Sequence, residues 1–249
     1  MTVSVCMASH NGERFIARQL ESILAELALE DELIVVDDHS TDNTTAIVRA
    51  QQDTRIKLHQ NVHRIGHVAS FAKAISLAKG DIIALADQDD LWLENRLAPI
   101  KAALSEPSCL VVAGNFTDID ERDGMLKLPS KRRLKASDSD RYHANLWGIL
   151  KGERPYYGCA MAFNQALKEQ ILPIPTYVES HDLWVAMAGN LDGAIRHLEA
   201  NVLAKRQHGR NVSSPVRRSW PKLVLSRLGM LLALATLSLR KRKLKREYA

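Results

Sequence analysis

The sequence predicts an α/β fold with a mostly parallel sheet flanked by helices. Three observations predict it: short apolar runs alternate with amphipathic stretches through the first hundred residues, the runs are apolar on both faces, and three of them end in carboxylates or small polar residues. A strand buried on both sides belongs to a sheet covered by helices, and repeated βα units give right-handed crossovers.

The elements follow in order. Val3-Ser4-Val5-Cys6-Met7-Ala8 is the first strand, ending in Ser9-His10-Asn11-Gly12. A helix follows with apolar residues at Phe15, Ile16, Leu20, Ile23, Leu24 and Leu27. Strands are expected near 2–8, 32–37, 55–59 and 81–86, and helices near 12–28, 42–52, 67–78 and 94–105. Cys109 to Phe116 adds a strand, and from Thr117 to Asp140 the chain turns charged and loses periodicity around Pro129 and Lys131-Arg132-Arg133. So long a loop in a compact domain is read as a lid over an acceptor site or as plain surface. A helix near 141–150, a strand near 157–163, a helix near 180–190 and a strand near 194–204 complete the core.

Composition narrows the partners. The net charge is +5, yet residues 217–249 hold ten Lys/Arg against one acidic residue, and residues 1–216 hold 24 basic against 28 acidic. A mildly acidic body with a basic tail is not built to coat a polyphosphate backbone, so no nucleic-acid partner is expected. Cys6, Cys109 and Cys159 lack metal-site spacing and read as reduced, buried packing residues. With the first strand starting almost at Met1, no room is left for a signal peptide, and a cytoplasmic location is expected.

The most informative stretch is Ile82-Ile83-Ala84-Leu85-Ala86-Asp87-Gln88-Asp89-Asp90, where an apolar strand delivers three carboxylates in four positions. Ligands of open α/β sheets bind outside the carboxyl ends of the strands. Extended alternation puts Asp87 and Asp89 on one side and Asp90 on the other. Like charges so close call for a cation, and hard oxygen ligands suit Mg²⁺ or Mn²⁺. Otherwise the segment is an Asp-rich turn capping the next helix. Glu32-Leu33-Ile34-Val35-Val36-Asp37-Asp38-His39-Ser40-Thr41-Asp42 has the same design.

Val3 to Asn11, Leu33 to Asp42 and Gly80 to Leu97 together resemble the nucleotide-binding half of a family 2 glycosyltransferase with the Rossmann-like GT-A fold. Tyr157-Gly158-Cys159-Ala160, His181-Asp182-Leu183-Trp184 and Arg206-Gln207-His208-Gly209-Arg210-Asn211 resemble the rhamnosyltransferase-like branch of that family. The resemblance implies a glycosyltransferase domain over residues 1–212, with the nucleotide-sugar half at 1–120 and the acceptor half at 121–212. It implies inverting, metal-dependent transfer from a dTDP- or UDP-sugar, dTDP-rhamnose among them, to a saccharide or lipid-linked saccharide acceptor in cell-surface polysaccharide synthesis.

Residue by residue, the resemblance places the metal (Mn²⁺ or Mg²⁺) on Asp89, with Asp87 on the ribose or on the metal through water, and with His208 completing the metal shell in some relatives. It places Asp38 on the pyrimidine base, Ala8, His10 and Asn11 in the base cradle, and Asn61 and Gly66 near the nucleotide. Asn11 can equally cap the helix near Gly12, and Asp37 is the neighbouring candidate for the base. Arg206 or Arg210 would clamp the diphosphate, while Asp90 would only brace the site. Asp182 lies where the family's catalytic carboxylate stands, with Glu179 as substitute; without the resemblance Asp182 is a first-turn acid favoured by the helix dipole.

Residues 213–249 form a separate tail. Leu223 to Leu239 is rich in Leu, Met and Ala, is interrupted by Arg227 and falls short of the ~20 apolar residues of an ordinary membrane span, and Arg240 to Arg246 is basic. Val224, Leu228, Leu231, Leu232, Ala235 and Leu239 share one helical face, and Ser226, Gly229, Ala233 and Thr236 another. An amphipathic basic helix fits an anionic membrane surface, peripheral on the inner face of the cytoplasmic membrane; packing on the body or on a second copy is the other reading.

Two further functions compete. A sugar-1-phosphate nucleotidyltransferase needs a Gly-rich basic loop after the first strand, which His10-Asn11-Gly12-Glu13-Arg14 does not supply, and Asp37-Asp38-His39-Ser40-Thr41 only loosely imitates a phosphohydrolase nucleophile loop. A non-catalytic membrane-peripheral assembly subunit would have no need of Asp38, Asp87, Asp89 and Asp182.

Overall fold

The computed structural model describes residues 1–127, 133–209 and 219–247. The first unit comprises β1 (Val3–Ser9), α1 (Ile16–Glu26), β2 (Glu32–Asp37), α2 (Thr44–Ala50), β3 (Ile56–Gln60), α3 (His67–Leu77) and β4 (Ile82–Asp87). Then come β5 (Leu91–Trp92), α4 (Leu97–Leu104), β6 (Val111–Ile119), β7 (Met125–Leu126), α5 (Tyr142–Lys151), β8 (Met161–Asn164) and α6 (Lys168–Ile171). The chain closes with α7 (His181–Asp192), β9 (Ile195–Arg206) and α8 (Trp220–Glu247).

The strands form one sheet ordered β3-β2-β1-β4-β8-β6-β9-β5, with β7 paired to β6. The β3-β2-β1-β4 portion is wholly parallel, as its βα repeats require. Beyond β4 the sheet is mixed: β8 enters antiparallel to both β4 and β6, and β9 runs parallel to β6.

Alternation along each strand builds two cores. Val3, Val5, Met7, Leu33, Val35, Ile82 and Ala84 pack with Ile16, Leu20, Ile23 and Ile100 on the face covered by α1 and α4. Cys6, Ile34, Val36, Ile83 and Leu85 pack with Phe71, Ile75, Trp184 and Val185 on the face covered by α3 and α7. That two-sided burial is why these runs carry no polar alternation. Trp184 is fully buried, and its indole N–H donates to the Ile171 carbonyl at 2.9 Å. All three cysteines are buried and free.

Register aligns the carboxyl ends of three strands: Ser9 pairs with Asp37 and Ala8 with Asp87. The expected loop after Phe116 is more ordered than its composition suggests. Strand β6 runs on to Ile119 and turns back into β7; Glu121 meets Arg14 of the β1–α1 loop at 2.5 Å, and Asp123 pairs with Arg18 of α1. Residues 128–132 lie outside the described residues, and so does the 212/213 boundary.

Helix α8 (Trp220–Glu247) runs past the apolar stretch, mostly at its carboxyl end, and against the expected shortfall its length and composition suffice to cross a membrane. It lies against α5, α6 and α7. Its inward side is the small-residue one, with Ser226, Ala233 and Leu237 buried. Small side chains let the helix approach closely, and polar contacts fix it. Ser226 Oγ donates to Glu179 at 3.0 Å, Arg240 donates to the Gln170 and Pro173 carbonyls, and Lys241 pairs with Asp192 at 3.0 Å. The opposite side leaves Trp220, Val224, Leu225, Leu228, Leu231, Leu232 and Leu239 exposed.

Candidate active site

The site is assembled from strand ends. Asp38 follows β2 and is buried, with a carboxylate that gathers the 61–66 loop. The Ile65 N–H and the Asn61 amide donate to Oδ1 at 2.8 and 3.0 Å, and the Gly66 N–H donates to Oδ2 at 2.8 Å. Burial works against its charge, but these donors outweigh burial and hold the carboxyl below its usual range. Gly66 adopts φ +89°, a conformation that favours glycine, and so turns its N–H toward Asp38. Asn61 also accepts from Lys73 at 2.8 Å. Asn61 and Gly66 are therefore joined to Asp38 in one network. Neighbouring Asp37 is fully buried and accepts from Ser9 and Ser40.

Beyond Ala8 and the end of β1, His10 and Asn11 tie the strand ends together. His10 Nδ1 lies 2.9 Å from the Asp38 carbonyl, and its N–H donates to Gln88 Oε1 at 3.0 Å while Gln88 Nε2 returns to the His10 carbonyl at 3.1 Å. Gln88 thus joins the loop after β1 to the turn after β4, extending the pairing of the two strands beyond their ends. Its amide fills the space beside Gly12, and a Cβ there would displace it. Asn11 does not cap α1, which starts only at Ile16; its side chain accepts from the Thr41 N–H at 2.9 Å.

The three carboxylates after β4 sort differently from strand alternation. The strand ends at Asp87 and a turn follows, so Asp87 and Asp90 converge while Asp89 points elsewhere. Asp87 Oδ2 and Asp90 Oδ2 lie 3.6 and 4.0 Å from Lys205 Nζ. Asp90 does more than brace: it is buried, accepts the Arg206 N–H at 2.9 Å, and has its carboxyl pushed up to about 7, chiefly by burial. Asp89 Oδ2 lies 2.7 Å from His208 Nε2. An oxygen and an imidazole nitrogen side by side suit Mn²⁺ or Mg²⁺ with waters or phosphate oxygens completing the shell.

Arg206 corrects its expected role as a diphosphate clamp. Only 1% exposed, it donates to the Asp89 and Asp120 carbonyls at 2.8 and 2.9 Å and pairs with Asp123 at 2.6 Å. Its guanidinium braces the turn that carries Asp89. Arg210 lies outside the described residues.

Asp182 stands in the first turn of α7, capped by Ser180, and accepts from the Leu183 N–H at 2.8 Å. The Gly158 N–H approaches Asp182 Oδ2 at 3.4 Å, and one residue on Cys159 Sγ lies 3.8 Å from Lys205 Nζ. Those contacts chain Asp182 to the carboxylates after β4. Next to it, His181 stacks on Phe71 of α3 with centroids 3.9 Å apart. Glu179 is held by Ser226 of α8. A cavity of about 560 Å³ lined by Met1, Asp81, Asn164 and Lys168 sits at the amino end of β1 and β4, the edge opposite these acids.

The family model described as glycosyl transferase family 2 matches residues 4–170. The chain belongs to that family. This family 2 glycosyl transferase is 33% identical over 132 residues to the Escherichia coli UDP-Glc:alpha-D-GlcNAc-diphosphoundecaprenol beta-1,3-glucosyltransferase WfgD, covering 53% of this chain and 52% of that one. It is 32% identical over 98 residues to the Shigella flexneri dTDP-rhamnosyl transferase RfbG, covering 36% and 34%. The chain spans about half the length, or less, of such curated relatives. Its fold matches Staphylococcus aureus TarS 1-349 in complex with UDP-GlcNAc (TM-score 0.70, 20% identity, 96% of this chain and 72% of that one). It also matches the Pyrobaculum calidifontis mannosyltransferase PcManGT in complex with GDP-Man and Mn2+ (TM-score 0.61, 19% identity, 96% and 73%). The architecture of this family 2 glycosyl transferase is therefore GT-A, with the carboxylates of β2 and β4 at the carboxyl edge of its sheet.

Proposed function

We propose that this chain transfers a sugar from a UDP- or dTDP-linked donor to a saccharide hydroxyl with inversion at the anomeric carbon. The acceptor oxygen attacks the anomeric carbon, the bond to the diphosphate oxygen breaks, and Asp182 takes the hydroxyl proton as the nucleoside diphosphate leaves. The observation that carries this reading is the linkage of Asp38, the Asp87–Asp90 turn and Asp182 through His10, Gln88, Gly158 and Lys205 at one edge of the sheet.

On this reading Asp38 receives the pyrimidine, and Ala8, His10, Asn11, Asn61 and Gly66 frame it; Asp87 faces the ribose. Asp89 and His208 would hold Mn²⁺ or Mg²⁺, with Asp87 reaching it through water. The ion would supply positive charge to the leaving diphosphate. Gln88 and Arg206 fix the strand ends so that these groups need no reorganisation.

The acceptor we favour is a lipid-linked saccharide in cell-surface polysaccharide synthesis, presented at the inner face of the cytoplasmic membrane. Support comes from the acceptor in the E. coli relative's name and from the exposed leucine side of α8 beside Arg242, Lys243, Lys245 and Arg246. dTDP-rhamnose is one donor to test, on the strength of the S. flexneri relative. The deciding experiment is a thermal-shift screen of nucleotide sugars with and without Mn²⁺. Stabilisation by a UDP- or dTDP-sugar that grows with Mn²⁺ is expected, and indifference to every nucleotide sugar overturns the proposal.

A further inference from the structure

Three groups near the carboxyl end of β4 have the outward form of a metal site. One ligand atom each from Asp87, Asp90 and Cys159 lies within 4.8 Å of the others, with Asp90 and Cys159 buried. Yet these groups already surround a cation. Lys205, near the end of β9, directs Nζ to 3.6 Å from Asp87 Oδ2, 4.0 Å from Asp90 Oδ2 and 3.8 Å from Cys159 Sγ. The ammonium is 5.7 Å from the centre of the Tyr157 ring, and the residue is only 8% exposed. Asp90 Oδ2 is buried between the Cys159 thiol, within 4.8 Å, and the Lys205 ammonium at 4.0 Å, the nearest positive charge to it. Asp87, with 35% of its side chain exposed, is the second carboxylate beside that ammonium.

We propose that Lys205 is the resident cation of the Asp87–Asp90–Cys159 cluster and closes it to divalent metal. The Asp89–His208 pair is then the seat left to an ion, a clause that rests on the metal reading above. Lys205 is a positioning residue. A second cation beside the ammonium would meet a full positive charge at coordination distance, and a thiol must lose its proton before it can ligate. The sequence hides this arrangement, because Asp90 and Lys205 are distant in the chain and Cys159 has no neighbouring ligand at metal spacing.

The test is an anaerobic Co²⁺ titration of the full chain, reading stoichiometry by calorimetry and Co–thiolate charge transfer by absorbance. Wild type is expected to bind one Co²⁺ without a thiolate band. Lys205→Met should gain a second Co²⁺ together with the band, and Cys159→Ser added to it should remove the band. Lys205→Arg, which keeps the charge, should behave as wild type; Cys6 and Cys109 are buried elsewhere and add nothing. A thiolate band in wild type overturns the proposal. So does a Lys205→Met protein with native circular dichroism that still binds one ion without a band; if that variant does not fold, Lys205→Gln is read in its place. Wild type that binds no Co²⁺ removes the Asp89–His208 assignment alone, since a band in the Lys205 variant still supports Lys205 as occupant.

Discussion

Asp89 and His208 are 119 residues apart in sequence, and their Oδ2 and Nε2 atoms lie 2.7 Å apart. This contact joins the turn after β4 to the segment after β9, the two parts of the chain proposed to face the diphosphate. Asp89→Ala is expected to abolish the Mn²⁺-dependent part of nucleotide-sugar binding in a thermal-shift titration while the ligand-free melting point stays near wild type. Wild-type metal dependence in that variant would remove Asp89 from the metal site.

Asp182→Asn keeps the side-chain shape but cannot take a proton. Donor affinity is expected to hold while transfer falls by about 10²–10⁴-fold, the usual contribution of a positioned general base. Radiolabelled-sugar transfer measured beside donor calorimetry checks this, and full activity excludes Asp182 as the base.

The Asp38 network has a pH signature. Its carboxyl sits below the usual range in the folded chain, so its stabilisation is complete above the unfolded value, about 4, and is lost as pH falls through the folded value. Asp38→Asn should cost about 1–3 kcal/mol at pH 7 by urea unfolding, and the gap to wild type should narrow below pH about 4. A gap independent of pH would show that the charge of Asp38 contributes nothing.

For α8 the structure permits a sharper experiment than deletion. Leu228 and Leu232 are more than half exposed, at 56% and 52%. Replacing both with Glu should leave the melting point within a few degrees and release the protein from anionic liposomes. Unchanged co-sedimentation would refute the membrane proposal.

Trp184 tests the core beneath the site. It is fully buried on α7, bonded to the Ile171 carbonyl of α6 and 5.5 Å from the Arg240 guanidinium of α8. Trp184→Ala should destabilise by about 3–5 kcal/mol in chemical unfolding, and a loss under 1 kcal/mol would contradict the packing described.

The strands β1, β2 and β4 were legible because residues buried on both faces leave continuous apolar runs, and their acidic ends announced a shared edge. The insertion of β8 between β4 and β6 was not legible, since antiparallel pairing of distant segments leaves no local pattern. Alternation misassigned Asp87, Asp89 and Asp90 because it was carried past the last residue of the strand. Arg206 looked available for phosphate, as any Arg near a strand end does, and only the approach of the β6–β7 turn revealed its burial. Lys205 is hidden for the same reason: a lysine closing an apolar run reads as an ordinary boundary. The apolar and small-residue stripes of α8 could be separated from its sequence, but not which stripe would face the protein.

The Gln88 amide beside Gly12 ties two distant codons to one volume. A larger residue 12 displaces that amide and gives up its two bonds to the His10 backbone, so the two positions should drift together. Among descendants of this chain, a bulky residue at 12 paired with an unchanged glutamine at 88 should be the combination that inheritance avoids.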